Sequence, residues 1–426
     1  MLDIHFIREN EDKLRQTIID RNITLDLDKL LSVDEQRRTL QQDAEKLRHE
    51  QKEANDHIAS ANTDEKKQAI ASMKEVATKL KEHEQKLRPI QEQFQELMYQ
   101  VPNIPDESVP VDPSGKNNKT LKEVGSKPNF DFEPKDHIEL ATMHKLIDFE
   151  RGVKISGARG YIITGKGVEL VQGLFRMAMD IAKEKGFTLV DPPVMVGEKF
   201  LYGTGHFPAH RDEIFEVHDK ERKHFLVGTS EVPLMGMYSD EFLEEEQLPL
   251  KLAGISPCYR TEVGSYGKDT KGLYRVRQFT KVEQLIFTTN SEEVSKDAFN
   301  NLLQNAEDML NALELPYQAV LKSTGDMGLG KVEEVDLEAW MPSRDSFGET
   351  HTCSRLHEFQ SRRLNIKYKD SDGKKHYVHT LNNTIIASPR ILIPLLEIHQ
   401  QKDGSITIPK ALQQYVDPNL LTLNNA

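Results

Sequence analysis

Ser256-Pro-Cys-Tyr-Arg260-Thr-Glu262 runs into Gly264-Ser-Tyr-Gly267-Lys268-Asp-Thr-Lys271 and returns through Arg275-Val-Arg277-Gln-Phe279-Thr-Lys-Val-Glu283. The reading of this stretch decides the rest. Apolar residues through 253–260 and 279–287 read as two strands, and the Gly- and Lys-rich middle as the loop between them. Arg260 at a strand end can fork onto a phosphate or a carboxylate. Glu262 can accept from an amine such as the exocyclic group of adenine. A loop bearing Lys268, Lys271 and Arg275 could close over a nucleotide or an RNA end. Taken alone, an ordinary charged hairpin would look the same.

Upstream the texture changes. From Leu30 to Tyr99 there is no glycine, and Pro89 is the single proline; Lys, Glu, Gln, Ala and Leu, all good helix formers, dominate. Met73, Leu80, Leu87 and Phe94 fall at position a of a seven-residue repeat, and Val76, His83, Ile90 and Leu97 at d. Val33, Leu40, Leu47, Ala54 and Ala61 form an earlier d series, with a weaker a series of Leu30, Arg37, Ala44, Gln51 and Ile58. Asn62-Thr-Asp-Glu65 reads as a polar turn in which Thr63 or Asp64 caps the next helix. The pattern predicts an antiparallel coiled-coil hairpin with arms of about 45–55 Å, kinked at Pro89. Such a rod can serve simply for dimerisation. Residues 37–88 hold twelve Lys/Arg and ten Asp/Glu, against −13 for the whole chain. An arm less acidic than its body suits contact with the phosphates of a polyanion.

A chain of 426 residues corresponds to about two or three domains. Its charge excludes a globally basic nucleic-acid binder, though not a basic patch. No apolar run approaches the ~18 residues of a membrane span, and the opening MLDIHFIREN lacks the layout of a secretory signal. A cytoplasmic protein without membrane partners is expected. Cys258 and Cys353 are the only cysteines, too few for a disulfide framework or a four-cysteine zinc site. Four prolines between Val101 and Gly115 mark a boundary. From about residue 136 the pattern is α+β, with helices near 168–185 and 291–313 and strands including 253–260, 279–287, 335–340 and 363–368.

Two motifs invite over-reading. Gly325-Asp-Met-Gly-Leu-Gly330-Lys331 fits the first seven positions of a phosphate-binding loop. Val332 then stands where Ser or Thr must hold Mg²⁺, and 335–340 alternates like a strand instead of opening a helix; a turn between strands is the better reading. His351, Cys353 and His357 have zinc-like spacing but no nearby fourth ligand, so no zinc is expected.

The dense stretch resembles motif 2 of class II aminoacyl-tRNA synthetases, in the bacterial form found in seryl-tRNA synthetases, and the resemblance covers the whole chain. The opening decapeptide is similar to that family's start, and the helical hairpin to its tRNA-binding arm. Pro102-Asn-Ile-Pro-Asp-Glu-Ser-Val-Pro110 resembles its linker. Gly157-Ala-Arg-Gly-Tyr161 through Asp191-Pro-Pro193 resembles motif 1, and Gly228-Thr-Ser-Glu-Val-Pro-Leu234 the serine segment. Asp336-Leu-Glu-Ala-Trp340 and Glu349-Thr-His-Thr-Cys-Ser354 resemble the acidic segment before motif 3, which is matched by His379-Thr-Leu-Asn382-Asn-Thr384 through Arg390.

The resemblance implies a tRNA-binding domain at 1–105, a Pro-rich linker at 106–135, and at 136–426 a catalytic domain with an antiparallel sheet flanked by helices. It implies activation of serine by ATP with Mg²⁺, transfer to tRNA(Ser) held by the arm, and a homodimer formed through motif 1; whether tRNA(Sec) is also served stays open. By resemblance, Arg260 bridges the serine carboxylate and the α-phosphate. Glu349 holds Mg²⁺ with Thr352 beside it, and Arg390 meets the outer phosphates. Glu262 and Phe279 hold the adenine, and Thr261, Arg275, Thr350 and His351 complete the ATP set. Thr229 and Glu231, flanking Ser230, receive the serine amino group; Glu283 and Thr384 receive its hydroxyl.

Motif 3 departs from the family pattern Asn-Gly-Ser-Gly-Leu-Ala-Val-Gly-Arg: here Asn382-Asn-Thr-Ile-Ile-Ala-Ser-Pro-Arg390 lacks all three glycines. Glycines there allow close backbone approach, so packing against the adenine is expected to differ. The usual Glu-x-Ser-Ser is Glu349-Thr-His-Thr352. A ligase loading a carrier protein would lack the arm. A silent RNA-binding paralogue would lack Arg260, Glu349 or Arg390.

Overall fold

Asp3 caps α1 (Ile4–Glu9) by accepting from the His5 amide, and α2 (Glu11–Asp20), α3 (Leu27–Ser60) and α4 (Thr63–Tyr99) follow. This computed structural model describes residues 1–60, 63–220, 222–263 and 272–423, and of 57–71 only the backbone where described. The chain divides into two units, one of Asp3–Ile18 and Ile23–Val101, the other of Met1–Leu2, Ile19–Asn22 and Pro102–Ala426.

In the first unit α3 and α4 pack along each other, about 51 and 55 Å long at 1.5 Å per residue. The repeat is visible in their burial. Leu30, Val33, Ala44, Leu87 and Leu97 are buried, and Met73, Val76, Leu80, His83, Ile90 and Phe94 are half-buried. Arg48 bridges to Glu84 across the pair at 2.8 Å. Helix α4 runs on through Pro89. Asp34 is buried outside the repeat and gathers Arg37 (2.6 Å), Arg38 (3.2 Å) and Arg8 (3.7 Å). The expected Asn62–Glu65 turn, its caps, and positions Ile58 and Ala61 of the repeat lie outside the described side chains.

The second unit is built on one eight-stranded sheet. Its strands are β1 (Lys119–Val124), β2 (Thr188–Val190), β3 (Leu250–Tyr259), β4 (Gln278–Thr288), β5 (Tyr317–Leu321), β6 (Glu333–Met341), β7 (Ser346–His357) and β8 (His379–Ser388). Their order is β1-β5-β6-β7-β8-β4-β3-β2, antiparallel except for the β2–β3 pair. Helices α5 (Lys166–Glu184) and α8 (Glu292–Ala312) supply one core layer; between them in sequence come α6 (Glu198–Thr204) and α7 (Glu231–Gly236), and later α9 (Phe359–Leu364) and α10 (Leu392–Ile398). Ser291 caps α8. Leu174, Phe175, Phe299, Leu302 and Met309 of the two long helices share a core with Val282, Ile286, Leu337, Cys353 and Ile385 of the sheet. Strand side chains alternate between faces, so the residues between these face the other way.

Three expectations need correction. Residues 106–135 do not behave as a free linker: they belong to the second unit, and within them β1 pairs with β5 as the sheet edge. The carbonyls of Pro110 and Asp112 accept from the amides of Thr324 and Gly325, which anchors the Pro-rich chain without its own missing donors. The strand expected at 363–368 is instead the end of α9, a left-handed Asn365 (φ 55°), and a three-residue strand Lys367–Lys369 paired in parallel with Phe242–Glu244. Finally, β3 and β4 start earlier than expected, at Leu250 and Gln278.

The Gly325–Lys331 segment is a turn between β5 and β6. Arg21, buried, donates hydrogen bonds to the carbonyls of Met327 (3.2 Å), Gly328 (2.6 Å), Leu329 (3.0 Å) and Lys331 (3.3 Å). The turn thus offers its oxygens to a cation, the reverse of a phosphate cradle.

Candidate active site

A cavity of about 280 Å³ opens on the face of the sheet away from α5 and α8. Phe279, Lys281 and Glu283 reach it as alternate residues of β4. From β8 come Asn382 and Thr384, then Ala387. That change of parity has a cause: Val282 pairs with Ile386 but Glu283 with Thr384, so Ile385 is an extra residue, a β-bulge. A second bulge lies in β7. Leu337 pairs with His351 and Glu338 with Glu349, leaving Thr350 extra. Without it Glu349 and Thr352, three apart, would face opposite ways; with it both line the cavity.

At one end stand two buried carboxylates. Glu231 Oε1 accepts from Gln360 Nε2 and Asn382 Nδ2, each at 2.6 Å, and its amide bonds to Thr229 Oγ1 at 3.3 Å. Burial alone would raise its pKa, but Lys331, His206, the Gln360 bond and Lys281 outweigh that and hold it below the usual range. His206, also on the wall, is pushed down to about 4 by burial. Glu283 Oε2 meets Lys281 Nζ at 2.5 Å and the Thr384 hydroxyl at 3.2 Å. Burial pushes the Glu283 carboxyl up, with Lys281 opposing.

Arg260 joins this end to the next. Its Nη2 bonds to Gly228 O at 3.4 Å, beside Thr229, and its guanidinium lies 5.2 Å from the Phe279 ring centre. Arg390 bonds through Nη1 to Glu349 O (3.1 Å) and Oε1 (3.2 Å), through Nε to Tyr274 O (3.1 Å), and covers the Tyr274 ring at 4.5 Å. Glu262, in left-handed backbone (φ 55°), pairs with Arg159 and Arg275 at 3.5 Å. Thr352 Oγ1 donates to Asp336 Oδ1 at 2.7 Å, and Lys322 Nζ bonds Asp336 Oδ2 at 3.1 Å. Burial and the neighbouring Glu349 push Asp336 up to about 7. Burial works the same way on Glu349, but Arg390, Lys322 and Arg260 hold it low. A buried carboxylate, Asp336, and a partly exposed one, Glu349, beside a hydroxyl fit Mg²⁺, which binds through one or two carboxylates plus substrate phosphates; among the described residues no group of three His, Cys, Asp or Glu forms a full protein cage.

The cavity therefore brings together Thr229, Glu231, Arg260, Glu262, Phe279, Glu283, Glu349, Thr350, Thr352, Thr384 and Arg390. Four expected residues stand outside its lining. Ser230 is buried, with its hydroxyl on Gly254 O. Thr261 bonds to Asp212 O at 2.6 Å, and Arg275 turns to Glu262. His351 points to Ile385 O at 3.0 Å, on the helix side, because it alternates with its neighbour Thr352 along the strand. Lys268 and Lys271 lie outside the described residues. Nor do the zinc-like residues group: Cys353 sits against Phe299 O, and His357 stacks on His379 at 4.4 Å.

Residues that the sequence reading passed over include Lys281, Lys331, His206, Tyr274 and Asn382 on the wall, and Asp336 as partner of Thr352. Strand alternation around Phe279 and Glu283 was a usable signal for Lys281. The lost glycines of motif 3 matter less to the cavity than expected. Asn383 bonds to Gln284 and to Leu302 O of α8, and Ile385 is in the helix-side core, so both side chains leave the cavity; only Pro389 lines it.

Comparison with known proteins gives a consistent answer. Residues 215–399 match the tRNA synthetase class II core domain (G, H, P, S and T), and residues 1–105 the seryl-tRNA synthetase N-terminal domain. The serine–tRNA ligase of Deinococcus radiodurans is 41% identical over 416 residues, covering 98% of this chain and 97% of that one. The serine–tRNA ligase of Symbiobacterium thermophilum is 37% identical over 417 residues, covering 97% and 98%. Among solved structures, the seryl-tRNA synthetase from Pyrococcus horikoshii complexed with ATP aligns at a TM-score of 0.88 with 34% identity, covering 97% of this chain and 98% of that one. No described helix is long and apolar enough to cross a membrane.

Proposed function

The chain belongs to the seryl-tRNA synthetase family, and from that premise we propose how its residues divide the work of a serine–tRNA ligase. The reaction has two steps. The serine carboxylate attacks the α-phosphorus of ATP and pyrophosphate leaves; a terminal ribose hydroxyl of tRNA(Ser) then attacks the seryl carbonyl and AMP leaves. No covalent enzyme intermediate is needed, so positioning and charge neutralisation carry the rate.

The observation that carries the assignment is the cavity that brings Glu231, Glu283 and Glu349 together with Arg260 and Arg390, Glu349 being turned to it by the β7 bulge. Glu231, kept ionised by Lys331 and the Gln360 bond, takes the serine ammonium with the Thr229 hydroxyl. Glu283 and Thr384 take the serine hydroxyl. Arg260, beside Gly228 and over Phe279, draws the carboxylate and the α-phosphate together. Phe279 and Glu262 hold the adenine, and Arg390 neutralises the outer phosphates. Glu349, Thr352 and Asp336 would hold Mg²⁺, which when bound shields the triphosphate charge.

The hairpin of α3 and α4 grips tRNA(Ser), and the segment around 157–193 joins two copies of the chain. Exposed Val153, Ile155 and Val168 near its start support that surface. Cytoplasmic charging of tRNA is the setting. Serine-dependent exchange of pyrophosphate into ATP tests the first step: exchange much faster with serine than with alanine is expected, and exchange with neither would contradict the reading.

A further inference from the structure

The serine-hydroxyl end holds a buried cation that neither step of the reaction uses. Lys281 and Glu283, alternate residues of β4, face the cavity with side chains only 8% and 4% exposed. Lys281 Nζ and the Thr384 hydroxyl both approach the same oxygen, Oε2, at 2.5 and 3.2 Å. Among the described residues no donor bonds to Oε1. Two anchors on one carboxylate oxygen fix the plane of the group and leave the second oxygen for a guest. A buried carboxylate is costly without a cation, and this one must remain an acceptor to reward a hydroxyl and penalise its absence.

We propose that Lys281 is a positioning residue for serine specificity: it keeps Glu283 ionised and turned so that Oε1 receives the substrate hydroxyl. The inference rests on the serine-activation reading and deepens it. The groups around Glu283 are Lys281 on its own strand, Thr384 on β8, Glu231 from α7 and the Cys258 thiol on β3, with the Cys353 thiol on the far side of β7 within its field. Of these only Lys281 is a cation, while burial and Glu231 push the Glu283 carboxyl up. Removing Lys281 raises it further. A carboxylate with a raised pKa loses its acceptor form as pH falls, so activation of serine should weaken on the acid side and recover on the alkaline side.

The test is pyrophosphate exchange by the full chain, with serine or alanine, from pH 6 to 9. Lys281→Met should lower kcat/KM for serine by on the order of tenfold to a hundredfold near neutrality, and leave alanine and the KM for ATP little changed. The acid limb of the serine profile should move to higher pH. Lys281→Gln, which keeps a polar chain of similar bulk, should move it the same way if the Met variant folds poorly. Lys281→Arg should restore both the limb and the preference. Equal losses for serine and alanine, or an acid limb that stays in place in both neutral variants, would overturn the role of Lys281. No serine-dependent exchange in the unsubstituted chain would overturn the reading beneath it as well.

Discussion

Between Leu30 and Leu97 a side chain's surroundings follow from its place in a seven-residue repeat; around the cavity they follow from two extra residues, Thr350 and Ile385. In the helical pair, the described a and d side chains are buried or half-buried, and most of the other described ones are wet. On the sheet, simple alternation would have sent Glu349 to the helix side and kept Ala387 off the cavity wall. The first region is a periodic object whose function is carried by its surface. The second is an aperiodic exception within a periodic frame, and the proposed chemistry lies beside that exception.

If this division holds, damage to the cavity should reduce amino-acid activation and charging together, whereas damage to the arm should touch charging alone. The largest effect is expected at Arg260, where Arg260→Ala should lower pyrophosphate exchange by roughly 10³-fold with charging falling in parallel. Glu231→Gln comes next. It keeps the shape that Gln360 and Asn382 bond to but removes the charge paired with the serine ammonium, so kcat/KM for serine should fall by about 10²-fold, checked by the same assay.

A smaller and more specific effect is expected at Thr384. Its hydroxyl is committed to Glu283, and its methyl adds bulk where the family has serine. Thr384→Ser should keep serine activation and raise threonine activation by about tenfold; unchanged threonine activation would place the filter elsewhere. The smallest effect belongs to the arm. Leu87→Ala, at a buried position of the seam, should destabilise the hairpin by about 2 kcal/mol in a thermal melt and leave exchange unaltered. A fall in exchange would break the separation.

Legibility in the sequence follows the same line. The hairpin was readable because periodicity needs no tertiary information, and the helices at 166–184 and 292–312 were readable from their apolar stripes. Residues 106–135 were not, because prolines that exclude a helix do not exclude packing through carbonyls. The short strand at Lys367–Lys369 was masked by an apolar run that begins in α9. In the site, residues on regular stretches of strand, such as Phe279 and Glu283, went where expected. Glu349 reached the cavity only through a bulge, which is invisible in a single strand's pattern and appears only in register with its partner, whereas His351 alternates with Thr352 to the helix side. Ser230, Thr261 and Arg275 adjoin cavity residues in sequence yet spend their side chains on backbone or on Glu262.

Replacing residues 30–98 by a short Gly/Ser link and measuring both half-reactions on the product separates the two regions most directly. Serine-dependent pyrophosphate exchange should stay within about twofold of the intact chain, as expected for distant, independent sites, while charging of tRNA(Ser) becomes undetectable. In the intact chain, charging should fall steeply between 50 and 200 mM salt, by roughly tenfold or more, as expected of an arm that engages phosphates. Undiminished charging by the shortened chain, or loss of exchange along with charging, would contradict the division between an arm that grips and a cavity that activates.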